Sequence, residues 1–280
     1  MLRYTRTLKL VLVLALGSTA AVYAQRGGGF GGFGGFGAPV RFAPEEWPDR
    51  DFTVCRLMYT SVRREPNGGG WRTDYPGAET NLMIRLSELT KTPISLDQGG
   101  RPHTWVVRMT DESLFDCPYT VASDVGTIGL NQEEAENLRQ YLLKGGFLWV
   151  DDFWGNAAWE QWSREMTKVF PPGEYPIEDI PLSDPIYNTL FEVKQAPQIT
   201  NIGFWRRTGG RETSERGEES RVVHFRTIRD HSGRMMVVMT HNTDVADSWE
   251  REGEDPGFFY QYSPDGYAFG INVLLYAMSH

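Results

Sequence analysis

Gly145–Gly155 reads GGFLWVDDFWG. A predicted amphipathic helix, Gln132–Lys144, runs into it. Leu138, Tyr141 and Leu142 recur there at helical spacing, while Glu133, Glu134, Glu136, Arg139 and Lys144 cover the other faces. Gly145 and Gly146 stop that helix, because a chain leaving a helix favours a left-handed residue that glycine adopts without steric penalty. Phe147–Val150 is then an unbroken apolar run of strand-forming residues, the pattern of a strand covered on both faces. The run ends at two carboxylates, Asp151 and Asp152. In open α/β sheets ligands bind beyond the carboxyl ends of parallel strands, so this segment predicts an α/β fold and points to its site.

The same alternation extends outward. Phe52–Thr60 (FTVCRLMYT) reads as the first strand, and Glu79–Thr90 as a helix with Leu82, Leu86 and Leu89 on one face. Pro93–Leu96, Trp105–Met109 and Tyr119–Ala122 follow as strands, the last ending at Ser123 and Asp124. Beyond Phe147–Val150 come a helix, Ala157–Val169, and a helical piece at Pro185–Phe191. Strands near Arg221–Thr227 and Met235–Thr240 and a closing helix, Tyr267–Met278, complete the chain. Such alternation implies right-handed crossovers and a mostly parallel sheet with helices on both faces. Residues 42–280 have the size of one such domain. Arg206–Arg221 contains no apolar residue and is expected as an exposed charged loop.

Residues 1–24 read as a signal peptide. Arg3, Arg6 and Lys9 precede an apolar run, Leu10–Leu16, and Val22-Tyr23-Ala24 forms a small-residue cleavage site. The run is shorter than the roughly 20 residues a membrane span needs. An exported protein, periplasmic or extracellular, with no span after cleavage is therefore expected; retention as an uncleaved anchor is the other reading. Residues 25–41 are rich in Gly and Phe and are expected as a flexible linker. Setting aside the three leader cations leaves 25 of the 28 basic side chains against 37 acidic ones, a net charge of about −12. A surface that acidic repels phosphate backbones, so nucleic acid is not an expected partner. Cys55 and Cys117 either pair as a disulfide or pack as small apolar groups, and the sequence leaves both open.

Several motifs carry a resemblance. W-x-T-D-Y-P at Trp71–Pro76 precedes the leucine helix and its E-L-T ending. C-P-Y-T, L-R-x-Y-L-x-x-G-G-F-L-x-x-D-D and a closing G-I-N-x-x-x-Y-A follow in order. Together these resemble the bacterial domain of unknown function DUF4159, from Phe52 to the C-terminus. The resemblance implies a flavodoxin-like, class I glutamine amidotransferase-like fold, doubly wound, without an agreed activity. Amidotransferases carry a Cys nucleophile on a strand-to-helix turn and a later His-x-Glu pair. Here Phe147–Val150 is followed by no Cys, and two positions after His241 stands Thr243, so that chemistry is not expected. Relatives of this kind are often encoded beside a MoxR-type ATPase and von Willebrand-type proteins, which implies a protein partner in the cell envelope.

No G-x-S-x-G elbow, phosphate loop, H-E-x-x-H helix or C-x-x-C pair is present. What remains is convergence at one sheet edge: Ser123 and Asp124, Asp151 and Asp152, and His241 with Asn242 and Asp244. Asp124, Asp151, Asp152, His241 and Asp244 are the candidate ligands of a divalent cation or other small ligand, since hard oxygen donors suit Ca²⁺, Mg²⁺ or Mn²⁺. The bland reading is that Asp151 or Asp152 caps the next helix, or pairs with Arg56 inside the first strand. Trp71, Tyr75 and Trp154 are candidates for recognition, while Trp154, Ala158 and Trp162 also share a helix face suited to the core. The expected function is a non-catalytic binding or scaffold domain. The alternative is a metal-assisted or acid/base hydrolase acting on envelope glycan or peptide.

Overall fold

A computed structural model of the chain describes residues 38–280. The expected signal peptide and the linker up to residue 37 lie outside the described residues. In chain order the elements are β1 (Val54–Met58), β2 (Thr60–Ser61), α1 (Gly77–Thr90), β3 (Thr104–Arg108), β4 (Tyr119–Ser123), β5 (Ile128–Gly129), α2 (Gln132–Leu143), β6 (Phe147–Phe153) and α3 (Gly155–Val169). They continue with β7 (Ile177–Asp179), α4 (Ile202–Thr208), β8 (His224–Arg229), β9 (Met235–His241), α5 (Asp247–Glu250) and α6 (Pro256–Ser279).

These strands build a seven-stranded sheet in the order β3-β1-β4-β6-β9-β8-β7, and β2 pairs separately with β5. β3, β1, β4, β6 and β9 run parallel, and β8 and β7 extend the sheet in antiparallel pairs. The fold is mixed α/β with a mostly parallel sheet. Alternate residues of β6 enter different cores. Phe147 and Trp149 join Leu82 and Leu86 of α1 and Phe269 and Val273 of α6. Leu148 and Val150 join Leu138 and Leu142 of α2 and Trp162 and Met166 of α3. Neighbouring strand residues face opposite ways, so the continuous apolar run is covered by different helices on its two sides.

Local chemistry sets the ends of these elements. α2 begins in a capping box, with Asn131 accepting from the Glu134 amide and Glu134 from that of Asn131. It ends before Gly145, whose φ is +111°. The last helix starts eleven residues before the expected Tyr267, at Pro256 behind the Asp255 cap. Its glycines and Pro264 blur the apolar pattern, and Gly266 has a packing reason. A Cβ on Gly266 would lie 1.9 Å from Ser248 Oγ. Pro93–Leu96 is not a strand but two isolated bridges, at Ile94 and Leu96. Arg206–Arg221 begins inside α4 and, although mostly at the surface, buries Ser220. Among the described residues no helix is long and apolar enough to cross a membrane.

Cys55 in β1 and Cys117 just ahead of β4 form a disulfide with a Cα–Cα separation of 6.1 Å. Both cysteines are fully buried. Closing a 62-residue loop restricts the unfolded chain by about 4 kcal/mol in the chain-entropy picture.

Candidate functional site

β6 does not stop at Val150. It runs on to Phe153, and its pairing with β9 shifts register between Val150 and Phe153. This irregularity sends the two aspartates to different tasks. Asp151 is buried and accepts the Thr240 hydroxyl at 2.5 Å and the Ala246 amide at 2.8 Å, fastening β9 to the turn after it. Asp152 keeps an accessible edge and accepts the Trp154 indole N–H at 3.0 Å. Neither caps α3, because the first helix amides go instead to Asn242 Oδ1 and Glu219 Oε2.

An open cleft lies over the carboxyl ends of β1, β4, β6 and β9. The segment Glu65–Asp74 after β1 forms one wall. Asp124, Asp152, Glu215, Asp244 and Arg251 reach it from the other connections. Asp74, Asp152 and Asp244 each place a carboxylate oxygen within 4.8 Å of the other two. Each has one oxygen tied to the protein. Asp74 Oδ2 accepts from the Ser123 hydroxyl at 3.3 Å, Asp152 Oδ1 from Trp154, and Asp244 Oδ1 from the Asp247 amide at 2.9 Å. Among the described residues no donor reaches the second oxygen of any of the three, and none of them forms an ion pair. Metal-binding carboxylates carry this signature, one oxygen oriented by a neighbour and one left for the ion.

Asp247 and Glu250 stand beside Asp74 in a second acidic group. That group holds its own cation. Arg251 Nε lies 3.3 Å from Asp247 Oδ1 and 2.9 Å from Glu250 Oε2. Asp247 Oδ2 also accepts the Ile202 amide at 2.8 Å.

Burial dominates the electrostatics. It raises Asp74 to about 7, with Asp247 adding repulsion. Asp124 is likewise raised to about 7 by burial, against the pull of the Gly70 amide. Asp151 rises to about 6, burial outweighing its hydrogen bonds. Asp152 and Asp244 are pushed well above the carboxylate range, first by burial and then by Asp74 and Asp152 respectively. Glu250 reaches about 10 through burial and Asp74. Crowded, desolvated carboxylates resist ionising together unless a cation joins them.

The backbone is also forced. Asn67, Asp74, Asp124, Asp152 and Asn242 all have φ between +53° and +67°. Left-handed non-glycine residues cost of order 1 kcal/mol or more and gather at functional sites. Asp and Asn tolerate this conformation best. Gly68 lets the wall approach: a Cβ there would lie 2.2 Å from Asp124 Oδ2, whose carboxylate accepts the Gly70 amide at 2.8 Å.

Behind the cleft, Arg56 is fully buried and pairs with Glu79, not with an aspartate as the sequence suggests. Its Nη1 donates to Ser123 Oγ at 2.8 Å, so Glu79, Arg56, Ser123 and Asp74 form one chain.

His241 does not join the carboxylates. Strand alternation turns it the other way from Thr240, against Phe153 and Trp159, with ring centroids 4.9 and 5.3 Å away. Burial lowers it to about 4. Tyr75 and Trp154 are buried rather than presented for recognition, and Trp71 packs half-buried beside Tyr75. Trp154 still touches the cleft as the anchor of Asp152. Asp74, Arg72, Asp247 and Glu250 escape a sequence search restricted to strand ends. The signal for Asp74 is its place in the W-x-T-D-Y-P run, between Trp71 and Tyr75.

The model of the family described as a domain of unknown function, DUF4159, matches residues 54–278. No curated protein matches the sequence.

Proposed function

The chain belongs to the DUF4159 family, and we propose that its domain is a divalent-cation-dependent binding or scaffold module of an exported cell-envelope protein. One observation carries this reading: Asp74, Asp152 and Asp244 converge within 4.8 Å, each with one oxygen oriented by the protein and one without a donor. Oxygen-only donors suit Ca²⁺, Mg²⁺ or Mn²⁺.

The finer fold belongs to the same proposal. The five parallel strands, taken in chain order, stand second, first, third, fourth and fifth across the sheet. That order supports a flavodoxin-like, doubly wound arrangement like that of class I amidotransferases, in which ligands sit where the strand order reverses. Here the reversal lies between β1 and β4, the connections of which supply Asp74 and Asp124. Amidotransferase chemistry lacks its nucleophile, since the chain's two cysteines are bonded to each other.

The test is calorimetric titration of the protein with Ca²⁺, Mg²⁺ and Mn²⁺, repeated on Asp244→Asn. A cation at a hundred times its Kd adds about 2.7 kcal/mol of stability, so melting curves report it too. Binding lost in Asp244→Asn supports the reading, and silence with every metal ends it. The second reading, a metal-assisted or acid/base hydrolase of envelope glycan or peptide, draws on Asp124. Its carboxyl, raised to about 7 in the same cleft, suits proton transfer near neutrality. Cation-dependent turnover of such a polymer would favour it.

A further inference from the structure

We infer that the cleft takes a ligand bearing an oxyanion, a phosphate or carboxylate group, held between the bound cation and Arg72. The inference rests on the cation reading above and names the ligand chemistry it serves.

Three guanidinium groups line the cleft: Arg72, Arg216 and Arg251. Two of them are committed. Arg216 lies 3.8 Å from both Glu65 and Glu215 and also donates to Pro66 O. Arg251 holds Asp247, Glu250 and Glu254. Arg72 differs. Its Nη2 donates to Ala38 O at 2.7 Å, its Nε is buried without an acceptor, and among the described residues no carboxylate pairs with it. Nη1 also donates to nothing among the described residues and, unlike the enclosed Nε, keeps accessible surface, so it is the nitrogen open to a ligand.

Arg72 stands two residues before Asp74 in the turn that leads into α1, so one short segment carries a cation ligand and an uncommitted cation into the same cleft. Trp71 underlies the guanidinium, 5.2 Å from its ring centroid, and limits where the fork can swing. Mg²⁺ and Mn²⁺ take about six oxygens, so three carboxylates leave about half the coordination sphere to water or ligand. An oxyanion fills such positions, and a planar guanidinium grips its remaining oxygens two at a time. A cationic or neutral ligand would leave Arg72 as it is, beside the ion and without a counter-charge.

The experiment titrates the full chain first with Mn²⁺, then with inorganic phosphate or malonate in the presence and absence of Mn²⁺. Wild type, Arg72→Met and Arg72→Lys are compared. Phosphate or malonate is expected to bind when Mn²⁺ is present, and whichever binds tighter identifies the group. Arg72→Met should weaken that binding at least tenfold while leaving Mn²⁺ affinity within twofold, which also shows the variant folded. Arg72→Lys, which keeps the charge and loses the fork, should fall between. Mn²⁺ binding with no response to either oxyanion, or with equal responses in all three proteins, overturns the inference and leaves the cation site standing. Absence of Mn²⁺ binding to wild type removes the cation reading and this inference with it.

Discussion

Replacing Asp74 by Asn should stabilise the cation-free protein at pH 8. Burial and Asp247 raise the Asp74 carboxyl from 3.8 to about 7 in the folded state. A carboxyl raised on folding contributes its full stability below the unfolded value, near pH 4, and loses it as pH rises through 7. At about 1.4 kcal/mol per pH unit, ionised Asp74 costs the native state about 4 kcal/mol at pH 8. Asn carries no charge and still offers an oxygen to the Ser123 hydroxyl, which Asp74 now accepts at 3.3 Å. The variant should therefore exceed wild type by about 2–4 kcal/mol at pH 8 in EDTA and match it within about 1 kcal/mol at pH 4. Urea denaturation at the two pH values reads this directly. Saturating Mn²⁺ should reverse the order at pH 8, because the wild type gains its binding energy and the variant gains little. A variant less stable than wild type at pH 8 in EDTA would refute the reasoning, because Asp74 would then be needed as a charge by the protein itself. Equal stabilisation of both proteins by Mn²⁺ would refute its role as a ligand.

Ser123→Ala should lower cation affinity about tenfold, the usual effect of removing the group that orients a ligand, measured by Mn²⁺ titration. It should also destabilise the fold by about 2 kcal/mol, because Arg56 Nη1 loses its buried acceptor. His241, lowered to about 4 by burial, contributes stability that is lost as pH falls from 6.5 through 4. In His241→Phe the thermal midpoint should accordingly fall less between pH 6.5 and 4 than in wild type.

The sheet was legible because β6 and its flanking helix carry both signals at once, an apolar run covered on two sides and a helix with one apolar face. Asp152 and Asp244 were legible for the topological reason that parallel strands end at one edge. His241 was misplaced because strand-end logic specifies an edge and not a face, and one step of pleat separates it from Thr240, which does reach Asp151. Asp74 was missed because it belongs to no strand end. The wall after β1 folds back over the sheet through Gly68 and a run of left-handed residues, and no period in the sequence reports such a return. The length of α6 was hidden by Gly266 and Pro264, residues that weaken a helical pattern, although Gly266 is what lets the helix pack against Ser248.

The bond between Cys55 and Cys117 can keep a record of the chain's history. Both cysteines are fully buried, and the bond joins β1 to the segment entering its neighbour β4, around a loop that contains α1 and β3. Oxidants and reductants reach such sulfurs when the sheet is open and are shut out once it closes. A chain that folds in a reducing compartment would seal two thiols inside, and one that folds in an oxidising compartment would seal a disulfide. Later exposure changes neither at a rate faster than unfolding. Thiol counting under denaturing conditions on protein taken from its native source therefore reports where the domain closed, independently of where it was collected.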